Sequence, residues 1–235
     1  MRTSLAARGS VLLTTAALSL GLPSSPAAAV EEPASISRFT LGSNVVTTRA
    51  ATQFFGTIAT REPLPAGTSA VTRVSIDGRD RGSVRVFFGT RTAGVDIPRS
   101  WGSGRVVLGP TTFTYADATT STDATRSRPF YARRDVRTTR PDDVALTVVR
   151  TDDAVRFRVR SVRIVQPATG RYVSLGRVRL QRLVGGAWRN GPTVRLDARG
   201  NGTVRLAASK KYRYRLFSAR TDSQVEFRTG KTKRI

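Results

Sequence analysis

The sequence predicts an all-β chain, two tandem antiparallel β-sandwich domains behind a cleavable N-terminal signal peptide. Short runs of alternating apolar and polar residues recur roughly every 8–15 residues between clusters of turn residues, the spacing of a sandwich or barrel. Helical periodicity is almost absent. The length left after a leader, roughly 200 residues, suits two domains of about 100.

The leader is read first. Arg2 and Arg8 make a positive start, residues 11–22 are apolar, and Pro23-Ser-Ser-Pro leads to Ala27-Ala28-Ala29, the small-x-small pattern ahead of a cleavage site. Residues 1–29 are therefore expected to be a signal peptide. No arginine pair precedes the apolar run, so the expected route is general secretion and the expected location extracellular, with cell-wall association. There is no cysteine for a lipid anchor, and no second apolar run approaches the ~20 residues of a membrane span. Residues 30–37 read as a flexible lead-in, 38–136 as the first sandwich domain, 137–143 as a linker, 144–229 as the second domain and 230–235 as a loose basic tail. The linker assignment rests on its charge, its proline and its lack of apolar residues.

In the first domain strands are expected at 44–49, 52–60, 70–76, 83–88, 94–97, 105–108, 111–116 and 129–133. Asp77-Gly78 and Gly109-Pro110 mark turns between them. Phe113 and Tyr115 alternate with threonines and should point inward, and 119–127 is polar enough for a solvated loop or an edge hairpin. In the second domain strands are expected at 145–150, 154–165, 171–175, 177–184, 192–196, 202–207, 211–217 and 223–228. Within 154–165 the parity changes. Val155, Phe157 and Val159 share one face and Val162 and Ile164 the other, so a bulge near Ser161 or a switch of sheets is required.

Residues 192–206 read as a half-buried β-hairpin, with Val194, Leu196, Val204 and Leu206 inward and a turn rich in Asp, Gly and Asn. The stretch has an echo. Asp77, Arg79, Gly82, Val84 and Arg85 stand in the same order and spacing as Asp197, Arg199, Gly202, Val204 and Arg205. An internal repeat and the convergence of two tight turns both account for it.

Val178-Arg-Leu-Gln-Arg-Leu-Val-Gly-Gly-Ala-Trp188-Arg, the turn around Asp197 and Tyr212-Arg-Tyr-Arg-Leu216 together resemble the bacterial Ig-like modules of secreted actinobacterial proteins. The likeness covers much of the second domain. It implies Ig-like β-sandwiches, appendages of surface proteins with no activity of their own. No catalytic or anchoring domain of the sort such modules usually accompany is recognisable.

Composition removes several chemistries. Histidine is absent, which excludes the usual general base and the commonest transition-metal ligand, and the lack of cysteine leaves both cores to hold by packing. Asp142-Asp143 and Asp152-Asp153 are the only carboxylate pairs with a catalytic reading, and neighbours on a strand point to opposite faces, so turn formation explains them better. Asp197-x-Arg-x-Asn201 lacks the terminal glutamate of a calcium loop. No cofactor is expected, and no enzyme. Trp101 and Trp188 read as core or corner plugs rather than sugar platforms.

Charge carries the functional hint. Lys and Arg number 40 against 16 Asp and Glu, for a formal net charge of +24, and only Lys210, Lys211, Lys231 and Lys233 are lysines. Alternation sets Arg156, Arg158, Arg160, Arg177, Arg179, Arg195, Arg205, Arg213 and Arg215 on outward faces, with scarcely a carboxylate between them. These nine are the candidate polyanion-binding residues. The expected function is that of a non-enzymatic cell-envelope binding or structural module that associates electrostatically with anionic wall polymer or acidic glycan. Nucleic acid would bind only non-specifically. The alternative is an extracellular inhibitor or protein-partner-binding protein acting through loops at the sandwich ends. A solvated arginine surface that protects strand edges is the plain structural reading.

Overall fold

Burial alternates along the strands as the sequence pattern requires. In Ser69–Ile76 the buried residues are Ala70, Thr72, Val74 and Ile76, and in Ala154–Val159 Val155, Phe157 and Val159 are buried between exposed arginines. The computed structural model describes residues 33–207, 210–232 and 234. The expected signal peptide and the start of the lead-in lie outside these. From Pro33 onward the chain forms one contact unit that contains two separate groups of buried residues. The chain is all-β, built of packed, mainly antiparallel sheets, as predicted.

Around the first core lie β1 (Ile36–Leu41), β2 (Asn44–Val46), β3 (Ala51–Thr60), β4 (Ser69–Ile76), β5 (Arg79–Phe87), β6 (Gly89–Pro98), a 3-10 turn at Arg99–Trp101, β7 (Gly104–Thr114), β8 (Thr120–Asp123) and β9 (Phe130–Arg134). They pair in the order β1-β3-β6-β5-β4-β7-β9-β2, with β8 beside β7. β5 pairs with β4 along most of its length but with β6 only through Val86 and Phe87, so the path folds there into two layers. Phe54 of β3 meets Phe130 of β9 between the layers, ring centroids 5.0 Å apart. β2 and β9 are parallel.

Two expectations change in this half, and a third is decided between its two alternatives. The lead-in ends earlier, because buried Ile36 already belongs to β1 and donates its N–H to Asp123 Oδ2 at 2.7 Å. Gly109-Pro110 ends no strand, for β7 runs through it. Gly109 takes φ 104, and a Cβ there would run into the Thr125 backbone, so glycine serves a close approach rather than a reversal. The 119–127 stretch is an edge hairpin, β8 pairing with β7.

The second core gathers β10 (Val136–Thr138), one helical turn α1 (Asp142–Ala145), β11 (Leu146–Arg150), β12 (Ala154–Val159), β13 (Val162–Gln166), β14 (Arg171–Ser174), β15 (Arg177–Val184), β16 (Ala187–Arg195), β17 (Gly202–Ala207), β18 (Tyr214–Ser218) and β19 (Phe227–Arg228). Sheet β11-β12-β17 faces sheet β16-β15-β18-β19, and Phe157 packs edge-on against Tyr214 between them at 4.6 Å. Sheet β10-β13-β14 adds Val136, Val162 and Ile164 to the same core. The parity change is a switch of sheets. The chain leaves β12 at Val159 and enters β13 at Val162, and Ser161 between them takes φ 57.

The expected linker begins inside β10 and ends in α1. Arg137 and Thr138 look like linker because they sit on a solvent-facing strand, where Arg137 stacks over the Tyr172 ring at 3.8 Å. Passage from one core to the other is at Arg134 and Asp135, and it is bonded on both sides. Arg134 N–H donates to Ser223 O at 3.0 Å and Asp135 N–H to Val46 O at 3.0 Å, while Asp135 O accepts Val165 N–H at 3.0 Å. The basic tail is not loose where described. Thr232 N–H donates to Tyr214 O at 2.9 Å, and its hydroxyl accepts the Tyr214 N–H at 3.0 Å.

Residues 192–206 are not a hairpin. β16 pairs with β15, and β17 pairs with β12 in the opposite sheet, so the turn at Asp197 carries the chain from one layer to the other. Both arms face one core, and alternation is the same whether two strands lie side by side or face to face. The echo is different in kind, for β4 and β5 form a true two-residue hairpin with Ile76 opposite Arg79 and both Asp77 (φ 51) and Gly78 (φ 77) left-handed.

Candidate polyanion interface

The nine candidate arginines fall on the two outer faces of the second half rather than on one. Arg156 and Arg158 stand on β12 beside Arg205 of β17, and Arg156 lies directly opposite Arg205 in the ladder. On the other outer face Arg177 of β15 lies opposite Arg195 of β16, with Arg179 two residues on and Arg215 on β18. Exposed Arg213 precedes β18, its carbonyl accepting the Leu183 N–H at 2.9 Å. Arg160 follows β12 and projects at the sheet's end. Like charges directly opposed in a ladder destabilise by roughly a few tenths of a kcal/mol. Both faces accept that cost.

Two of the nine are already engaged. Arg205 Nη2 holds Asp153 Oδ2 at 2.6 Å, both well exposed. The Thr151 hydroxyl, before the Arg205 charge, keeps the Asp153 carboxyl below its usual range. Arg215 lies over the Trp188 ring at 4.2 Å and donates through Nε to Gln181 Oε1 at 2.8 Å. Burial, then the nearby Arg228 charge, lowers its pKa. Trp188 is thus a platform for a guanidinium on the outer face and not a core plug. Trp101 is a plug, packed on the first core and against Gly82. Among the described residues the ion pairs are Arg73–Asp80, Arg205–Asp153 and Arg228–Glu226, far fewer than the arginines.

The Asp197 turn organises further positive charge. Asp197 Oδ1 accepts the Arg199 N–H at 2.8 Å and the Asn201 N–H at 2.9 Å, bonds that hold its carboxyl below the usual range, the Asn201 amide chief among them. Asn201 Oδ1 accepts the Ser161 N–H at 3.1 Å, and Gly200 O accepts the Val162 N–H at 3.0 Å. The turn is thereby seated on the crossover between β12 and β13. A cleft of about 520 Å³ opens there, lined by Arg140, Arg158, Arg160, Arg163 and Arg199 together with Asp197 and Asn201. Arg140, Arg163 and Arg199 escaped the strand-parity reading because they lie on a loop, a second sheet and a turn. Only the topology brings them together.

Of the two carboxylate pairs only Asp152-Asp153 can be placed. Asp152 and Asp153 are exposed at the turn between β11 and β12, Asp153 tied to Arg205 and to the Thr151 hydroxyl at 2.8 Å. The side chains of Asp142 and Asp143 lie outside the description. Among the described residues no helix is long and apolar enough to cross a membrane.

No family model and no curated protein matches the chain. Among solved structures it is similar to the D0-D1 domain of intimin, at 15% identity over 83% of this chain and 96% of that one with a TM-score of 0.26. It is also similar to the Parabacteroides merdae β-glucuronidase, at 8% identity over 82% of this chain and 24% of that one with a TM-score of 0.21.

Proposed function

We propose that this chain is a non-enzymatic, secreted cell-envelope module that associates electrostatically with anionic wall polymer, in keeping with its resemblance to the Ig-like modules of secreted actinobacterial proteins. The supporting observation is the cross-strand opposition of arginines on exposed faces, Arg177 opposite Arg195 and Arg156 opposite Arg205, with Asp153 offsetting only the Arg205 charge. A surface that keeps like charges adjacent gains when a polyanion supplies the counter-charge.

The test is retention of the mature chain on purified cell wall, and on a soluble polyanion, over a salt series. Because the arginines divide between two faces, one polymer strand meets about three or four of them at a time. At roughly 0.7 of log–log slope per phosphate neutralised, affinity should fall about 20- to 50-fold between about 50 and 200 mM salt. Retention indifferent to ionic strength would refute the reading. Saturable capture by a protein, unchanged when the strand arginines are replaced by glutamine, would favour the loop-mediated alternative.

A further inference from the structure

We infer that the cleft beneath the Asp197 turn is a discrete binding site for a cluster of phosphates, distinct from the diffuse attraction of the two arginine faces. This deepens the reading above and rests on it for the source of the ligand, a phosphate-bearing polymer.

Three observations combine. Five arginines from four separate segments line the cleft: Arg140 after β10, Arg158 and Arg160 at the end of β12, Arg163 on β13 and Arg199 in the turn. Asp197 is the one acid in the lining against five arginines, its oxygens accepting the turn's own Arg199 and Asn201 amides, so most of the positive charge is left uncompensated, and no ion pair joins it to a cleft arginine among the described residues. The frame is fixed rather than adaptive. Asn201 grips the Ser161 amide, Gly200 the Val162 amide, and Arg163 Nε donates to Arg199 O at 3.3 Å.

The chemistry selects the ligand. A carboxylate carries one charge on two oxygens and is saturated by one or two guanidinium forks. Neighbouring phosphates offer several charged oxygens in three dimensions, so that four or five forks can approach from different sides without competing for the same lone pairs. A cleft of about 520 Å³ admits two or three phosphates in a row. Arg156 and Arg158, alternate residues on β12, extend the same positive line out of the cleft along the strand, so a chain of phosphates could continue beyond it.

The experiment uses the mature chain with sodium tripolyphosphate as probe and polygalacturonate as a carboxylate control, followed by titration calorimetry at about 50 mM salt. One set of variants is Arg158→Gln, Arg160→Gln and Arg199→Gln combined. The charge-matched set on the opposite face is Arg177→Gln, Arg179→Gln and Arg195→Gln. All six residues are exposed, and thermal melting checks that both sets fold. The cleft set should weaken tripolyphosphate binding by at least about tenfold and the opposite set by no more than about twofold, since a hydrogen bond to a charged group contributes enough for a tenfold effect. Lysines at the three cleft positions, which keep the charge but lose the fork, should still weaken it several-fold.

Equal losses from the two sets, or polygalacturonate binding as tightly as tripolyphosphate, would overturn the site. Wall retention, measured in parallel, separates the two claims. Salt-sensitive retention without cleft-dependent tripolyphosphate binding removes the site and leaves the envelope reading. Cleft-dependent binding of tripolyphosphate by a chain that walls do not retain removes the envelope reading and leaves the site.

Discussion

Replacing Gly200 with alanine tests how the turn between the sandwich layers is held. Gly200 is buried at φ 80, and a Cβ there would lie 3.0 Å from the Val162 amide nitrogen and closer still to its carbonyl oxygen. Gly176 has the same φ of 80 with nothing within 4 Å of an added Cβ. The pair therefore separates backbone conformation from crowding. Holding alanine in the left-handed region costs roughly 1–2 kcal/mol at either position. At Gly200 the clash with the β12–β13 crossover adds about 1–3 kcal/mol, as over-packing of a filled site does. For a unit of this size 1 kcal/mol moves the melting point by about 2–4 °C, so Gly200→Ala should melt roughly 2–12 °C below Gly176→Ala. Differential scanning calorimetry on the purified protein, supported by urea unfolding, reads the difference. Equal melting points for the two variants would refute the claim that the turn is seated against the crossover.

Two further outcomes follow from packing and protonation. Phe157, fully buried against Tyr214, should cost about 3–5 kcal/mol on truncation to alanine, read as a shift in the urea midpoint, and a loss under about 1 kcal/mol would contradict its place at the centre of the second core. Burial, followed by its hydrogen bond to Asp135, raises the Tyr172 phenol to about 12. The folded state therefore holds this proton more tightly than the unfolded chain, whose tyrosines titrate near 10. The associated stability is complete below about pH 10 and is lost as pH rises through about 12. Burial also raises the Tyr214 phenol, so ultraviolet titration should show more than one late tyrosine, of which the one near 12 disappears in Tyr172→Phe, and a wild-type profile with every tyrosine ionising near 10 would contradict the assignment.

What the sequence made legible was local parity. The inward sets Val155-Phe157-Val159 and Val178-Leu180 are buried as alternation demands, and the Gly185-Gly186 pair turns β15 into β16 with both residues left-handed. Alternation carries no information about which strand lies beside which. Residues 192–206 show the consequence, since arms that face each other across a core alternate just as paired arms do. The echo around Asp77 failed for a related reason. Asp and Gly suit any tight reversal, whether a two-residue hairpin or a crossing between layers, so residue identity did not bring identity of conformation. Charge was misread at its margins. Arg137 and Thr138 are strand residues at a surface, and in composition an exposed strand and a linker look alike. The cleft was out of reach altogether, because its arginines come from segments up to 59 positions apart in the chain, Arg140 to Arg199, and only the crossover at Ser161 joins them.

The bonded passage at Arg134 and Asp135 has a mechanical meaning. A string of modules on slack tethers lets each one swivel, and a grip on one leaves its neighbour free. Here the strand leaving the first core is clamped by Ser223 and Val46 within two residues, and Val165, a residue of the second half, is buried in the first core. Torque applied to one half is resisted at the passage by these hydrogen bonds and by the seating of Val165. The two halves are thus not joined by a slack tether, and turning one against the other would have to break the bonds of the passage.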